Sequence, residues 1–111
     1  MSNAIRVLYE PLRSLAFGSI SGTYAGVGAA FAHPVRMLKI TNTSDVTITI
    51  SFDGIVDHDI VPAYSAWIHD YASNSELPAG SLDQAQGTRV YVKGAPSLGT
   101  IYVTVIGASI A

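Results

Sequence analysis

A strict alternation of apolar and polar residues over residues 46–52 constrains the fold of this chain most strongly. One side of the alternation carries Val46, Ile48, Ile50 and Phe52, and the other carries threonine and serine. A period of two is that of a strand with one buried face. Asp53 and Gly54 follow at once, and this pair is typical of a hairpin because glycine adopts the positive φ that the turn needs. We therefore predict a hairpin whose return strand runs over residues 55–61.

Other segments show strand patterns of the same kind. Residues 88–93 and 100–106 alternate and are rich in β-branched residues, so we predict a second hairpin closed by the Gly/Pro loop 94–99. Residues 35–41 and 66–71 are predicted strands, residues 4–9 are a further candidate, and residues 81–86 are compatible with one helical turn. Six or so short strands separated by frequent turns indicate an all-β fold, either an antiparallel β-sandwich or a jelly-roll-like barrel.

The first third of the chain is rich in glycine and alanine. Residues 18–32 hold four of each, and the packing bulk comes only from Ile20, Tyr24, Val27 and Phe31. Glycine loses much backbone entropy on ordering, and little apolar area is present to offset that loss. The sequence therefore predicts a β-sandwich domain over residues 33–111. Residues 1–32 are either an extended arm that a neighbouring chain orders or edge strands of the same domain.

Composition narrows the function. The 111 residues suit one domain, and a net charge of −2 argues against a nucleic-acid-binding surface. The chain has no cysteine, so disulfides and thiolate chemistry are excluded, and it has no apolar run of membrane-spanning length. Only 13% of residues are charged, and six tyrosines and one tryptophan are present. Such an exterior suits either a protein–protein interface or a polar, uncharged β-protein surface.

The candidate catalytic and metal-ligating residues do not form a motif. In a strand, His58 would face away from Asp57 and Asp59, so the three could not hold one metal ion. His69 and Asp70 would likewise point to opposite faces, and no nucleophile elbow is present. We expect no enzymatic activity, no cofactor and no metal. The residues expected to contact a partner protein are Ile20, Tyr24, Val27, Phe31, Trp67, Tyr91 and Tyr102.

Three segments carry a resemblance to a known group of proteins. Residues 34–42 read PVRMLKITN, residues 51–54 read SFDG and residues 87–93 read GTRVYVK. This framework, within residues 33–106, resembles small structural proteins from the virions of short-tailed bacteriophages. The length and the glycine-rich leader look most like the capsid decoration or staple proteins of epsilon-fifteen-type podophages.

The resemblance implies a structural role. Such a protein is made in the host bacterial cytoplasm, sits on the outer capsid surface, and binds the major capsid protein and further copies of itself as a dimer or small oligomer. An extended arm would reach a neighbouring subunit and add a strand to its sheet. Two alternatives stay open: a neck, tail or fibre-attachment subunit of the virion, and a carbohydrate-binding module that uses Trp67 and the outward tyrosines.

Overall fold

The computed structural model describes residues 5–71 and 85–110, which form a sandwich of two antiparallel sheets. The strands are β1 (Ile5–Tyr9), β2 (Arg13–Ala16), β3 (Ala25–Gly26), β4 (Val35–Asn42), β5 (Ile48–Ser51), β6 (Asp59–Val61), β7 (Ser65–Asp70), β8 (Tyr91–Lys93) and β9 (Thr100–Ile110), with a 3-10 turn at Phe17–Ser19. Sheet A has the order β1-β9-β4-β7, and β2 also pairs with β9; sheet B has the order β3-β8-β5-β6. The predicted all-β class and the sandwich are confirmed. The predicted helical turn over residues 81–86 lies mostly outside the described residues.

The longest strand, β9, organises sheet A. One of its edges pairs with β4, and the other pairs with β1 near its end and with β2 near its start. Three residues, 10–12, separate the paired Tyr9 and Arg13, whereas only two residues separate their partners on β9. The extra residue is a bulge, and bulges bend the strand that contains them. Within the bulge, Glu10 still donates its backbone N–H to Val105 on β9 at 3.1 Å, whereas Leu12 is exposed.

The core lies between the two sheets, and the period-two pattern explains which residues enter it. In β5, Ile48 and Ile50 are buried while Thr49 is partly exposed. Asn42 is a buried polar residue whose amide nitrogen donates to the carbonyls of Val46, Val61 and Pro62 at 2.9–3.1 Å. Since these three carbonyls flank strands of sheet B, Asn42 ties the two sheets together and satisfies backbone groups that burial would otherwise leave unpaired.

The two predicted hairpins have different outcomes. β5 and β6 do pair, but β6 covers only Asp59–Val61, because residues 52–58 form a loop instead of continuing the strand. The second hairpin is wrong: β8 pairs with β3 and β5 in sheet B, whereas β9 belongs to sheet A. The loop 94–99 therefore crosses from one sheet to the other. Alternation marks a strand and its buried face but carries no information about its partner.

The described part of the leader packs on its own chain. Residues 5–26 supply three edge strands, which is the alternative that the sequence left open. Farther along, Val27 donates its backbone N–H to Val90 at 2.8 Å, and Phe31 donates to Thr88 at 2.8 Å. The glycine-rich segment is thus hydrogen-bonded to sheet B of its own chain.

An ion pair between Glu10 and Arg13 holds the second half of that segment. Glu10 and Arg13 meet at 2.7 Å with side chains 3% and 8% exposed. Arg13 donates to the carbonyls of Ala29 and Ala30, while Glu10 accepts the backbone N–H of Ala32 and of His33. We call residues 28–33 the strap, since this ion pair fastens them to the bulge.

The strap needs glycine where arginine approaches it. Gly28 has a φ of +67°, and an added Cβ would lie 2.6 Å from the Cγ of Arg13. On the other side, Arg89 donates from Nε to the carbonyl of Gly28 at 2.6 Å, and its guanidinium occupies the space that a side chain at Gly26 would need. The glycines therefore provide room for two arginine side chains.

Candidate protein-interaction site

The seven residues predicted to contact a partner do not form one surface. Ile20, Val27 and Phe31 belong to the buried core, so the prediction is wrong for these three. Their side chains bury apolar area against the two sheets of the same chain, and this burial offsets the entropy lost when the leader becomes ordered. The other four residues lie in three places, described in turn.

Trp67 closes one edge of the sandwich. Its ring stacks on His69 with centroids 3.7 Å apart, and Phe52 lies 6.2 Å away on a tilted plane. The indole N–H donates to the Asp59 carboxylate. With one ring face covered and its only donor occupied, Trp67 is poorly suited to be a stacking platform for a sugar.

Tyr102 lies on the solvent-facing side of sheet A, which we call the outer A face. The register places Ser14, Thr41 and Ala66 in line with it across four strands. Ile68 is exposed on β7, two positions from Ala66, and Tyr9 is exposed on β1 opposite Ile106, four positions along β9 from Tyr102. Lys39 and Asp70 are charged residues on this face, and Arg36 lies at the register shift of β4, between the buried Val35 and Leu38. The outer A face is therefore broad and carries few charges.

Tyr24 and Tyr91 are brought together at the outer side of sheet B, where both border the 52–58 loop. The Tyr24 hydroxyl donates to the Asp57 carboxylate, which Lys93 also approaches at 3.0 Å. The Lys93 ammonium lies 4.7 Å from the centre of the Tyr24 ring. Partial burial and the hydrogen bond to Asp57 raise the pKa of Tyr24 to about 12, and the Tyr24 and Lys93 contacts lower the pKa of Asp57.

Side chains of the 52–58 loop and its neighbours fix the loop's backbone. The Asp53 carboxylate accepts the N–H groups of Ile55 and Val56 at 2.8 and 3.0 Å. The buried Ser51 hydroxyl accepts the N–H of Gly54 at 2.9 Å. The hydrogen bonds from the backbone N–H groups of Val56 and Ile55, together with the one from the Ser51 hydroxyl, lower the pKa of Asp53 to about 2.

The remaining loop contacts complete this arrangement. The His58 ring accepts the backbone N–H of Phe52 at Nδ1, at 3.0 Å, and the backbone N–H of His58 donates to the carbonyl of Ile50. Gly54 has a φ of +75° and packs against the Tyr91 ring, which an added Cβ would approach to 3.3 Å. The loop is therefore tied to β5 and β8 along its length.

The loop tip is a feature that the sequence interpretation missed. The predicted return strand includes Ile55 and Val56, and in such a strand one of the two would face the core. In the structure they are 80% and 54% exposed. The available signal was the Ser-x-Asp-Gly sequence at residues 51–54, in which short polar side chains cap a loop backbone instead of a two-residue turn.

A groove of about 510 Å³ lies between the bulge and the strap. Its lining includes Leu8, Pro11, Leu12 and Ala29, together with the Glu10–Arg13 pair. Both charged groups already bond to each other and to the strap, so the groove is suited to an apolar side chain more than to a charged ligand.

The candidate catalytic and metal groups are dispersed. Ser65 donates to the Pro62 carbonyl and lies four residues along β7 from His69, about 14 Å at the rise of a strand. Within residues 5–71 and 85–110, no group of three His, Asp or Glu side chains is placed to bind a metal ion. The same residues contain no helix with the length and apolarity needed to cross a membrane.

Comparison with known proteins adds no relative. No protein-family model matches this chain, and no curated protein sequence matches it significantly.

Proposed function

We propose that this chain is a structural subunit of a bacteriophage virion, and specifically a decoration or staple protein that binds the major capsid protein on the outer capsid surface. The observation that carries the proposal is the outer A face, which is broad, carries few charges, and exposes Tyr9, Ile68 and Tyr102. Interfaces between proteins are depleted in charge and enriched in aromatic residues. The resemblance of residues 33–106 to structural proteins of short-tailed phages supports the proposal that the particle is a phage virion.

The dimensions of this face suit a protein contact. β4 has eight residues and spans about 27 Å, and four strands side by side span about 19 Å. The face therefore covers on the order of 500 Å², somewhat below one partner's share of a standard interface. A second contact would bring the total into the usual range. Since the face belongs to a hydrogen-bonded sheet, docking requires little ordering of the backbone.

A staple of this kind acts without turnover. A subunit that binds only the assembled shell stabilises that shell by mass action, by about 2.7 kcal/mol per site when its free concentration is 100 times Kd. In this proposal the capsid protein binds a surface that is already folded, because the described part of the leader is hydrogen-bonded to its own chain.

The stoichiometry of purified particles tests the proposal. We expect quantitative gel densitometry to find a fixed molar ratio of this subunit to the major capsid protein. The ratio should correspond to about one subunit per capsomer or per lattice axis. Ile68→Asp should reduce the ratio, whereas Leu98→Asp, an exposed aliphatic residue in the crossing loop, should not. A small fixed number of copies would support the neck or tail alternative. Absence of the subunit from particles would refute a virion role altogether.

A further inference from the structure

We propose that the 52–58 loop is a preformed anchor that inserts Ile55 and Val56 into an apolar pocket of a partner protein, and that lysine and arginine side chains rim this pocket. The inference rests on the proposed function only in taking that partner to be a virion protein. It concerns a different surface from the outer A face, and it supplies the second contact that the size of that face calls for.

The first step in the argument is the rigidity of the loop. The backbone N–H groups of Phe52, Gly54, Ile55 and Val56 all have acceptors within the loop or in Ser51. Burying the tip of a flexible loop would require ordering of its backbone, which weakens binding. Here that ordering is already present in the free chain, because the side chains of Ser51, Asp53 and His58 accept hydrogen bonds from the loop backbone.

The second step is the chemistry of the tip. Ile55 and Val56 are adjacent, aliphatic and mostly exposed. Both are β-branched, so each has few rotamers to lose on burial. Two exposed aliphatic side chains on a fixed backbone have the character of an interface anchor, which contributes most when an apolar pocket surrounds it fully.

The third step is the charge around the tip. Asp53, Asp57 and Asp59 lie within seven positions and account for three of the eight acidic residues of the chain. The groups facing them are Lys93, which pairs with Asp57, and His58 within the loop; Arg89 lies beyond, over the Tyr91 ring. Three carboxylates against the two cations Lys93 and Arg89 leave the rim negative. Complementary charge on the partner is therefore basic.

The same carboxylates do not form a metal site. Asp53 is bonded to the loop backbone, Asp57 to Tyr24 and Lys93, and Asp59 to Trp67 and its neighbour's N–H. Each is directed at a different group, so their shared property is negative charge and not a common ligand position.

Site-specific photo-crosslinking in the host cell tests the anchor directly. A photoreactive amino acid replaces Ile55 in the full-length chain, and the same substitution at Leu98 is the matched control. We expect a covalent adduct with one partner protein from position 55 and little or none from position 98. The partner peptide identified by mass spectrometry should contain apolar residues flanked by lysine or arginine. If the variant at 55 does not fold, as judged by circular dichroism, position 56 replaces it.

The outcomes separate the two proposals. No adduct from either tip position, equal adducts from 55 and 98, or a partner peptide flanked by acidic residues would overturn the anchor. An adduct of the expected kind with a protein that is not part of the virion would support the anchor and refute the proposed function. With the purified partner, Ile55→Asp should raise Kd on the order of tenfold or more, and Leu98→Asp should leave it unchanged.

Discussion

Replacing Glu10 with alanine tests whether the chain orders its own leader. The carboxylate accepts from the Arg13 guanidinium at 2.7 Å and from the backbone N–H of His33 at 3.0 Å, and it also accepts the N–H of Ala32 at 3.2 Å. Glu10→Ala removes all of these contacts. It leaves a guanidinium that is only 8% exposed without its counter-charge. The strap would lose its bonds to Glu10 and keep those from Arg13 to the carbonyls of Ala29 and Ala30.

The expected magnitude follows from burial. Removing one member of a buried ion pair costs about 3–5 kcal/mol. We expect the lower end, about 3 kcal/mol, because His33 is partly exposed and water can reach its side of the pair. A domain of this size has a stability of about 5–15 kcal/mol, so the loss is a large fraction of the total. At an unfolding entropy of about 2.1 cal/mol/K per residue, it lowers Tm by roughly 13 °C.

Urea denaturation and limited proteolysis measure the two consequences. The urea midpoint of Glu10→Ala should fall with little change in the m-value, and cleavage within residues 28–33 should accelerate relative to wild type. Asp45→Ala is the control, because it removes an exposed carboxylate that bonds to the Ser97 N–H at 2.9 Å; its effect should be much smaller. A loss below about 1 kcal/mol for Glu10→Ala, or unchanged cleavage of the strap, would refute the reasoning.

Two further predictions concern the leader and the acid limit. Deleting residues 1–32 removes β1, β2 and β3 together with three core side chains, so the remainder should lack a cooperative thermal transition; a cooperative transition near the wild-type Tm would contradict the structure. Stability should also fall in acid. The pKa of Glu10 is lowered, since its hydrogen bonds to Arg13 and the strap outweigh burial, and that of Asp53 is about 2. Both groups stabilise the fold above about pH 4, and this stabilisation is lost as the pH falls towards 2. The urea midpoint should therefore be flat above about pH 5 and decrease below about pH 4. Glu10→Gln should show a shallower decrease, and a midpoint that rises on acidification would contradict the assignment.

The candidate site was predictable only in part. Tyr102 was correctly placed on an outward face, because its neighbours Ile101 and Val103 alternate with it into the core. The sequence predicts that Val27 and Phe31 contact a partner, because their segment by itself offers too little apolar area to become ordered. The rest of the chain supplies the missing contacts, including those of Arg13 and Arg89 with the strap.

The all-β class, the positions of the main strands and the buried face of β5 follow from the sequence by itself, since side-chain alternation is a local property of a few consecutive residues. Tertiary structure decided which strands pair, that the leader packs on its own sandwich, and that Ile55 and Val56 are exposed. These depend on contacts between residues far apart in the chain, such as that of Arg89 with Gly28 across 61 positions. No local pattern encodes such a contact, because it exists only once both sheets have brought the two residues together.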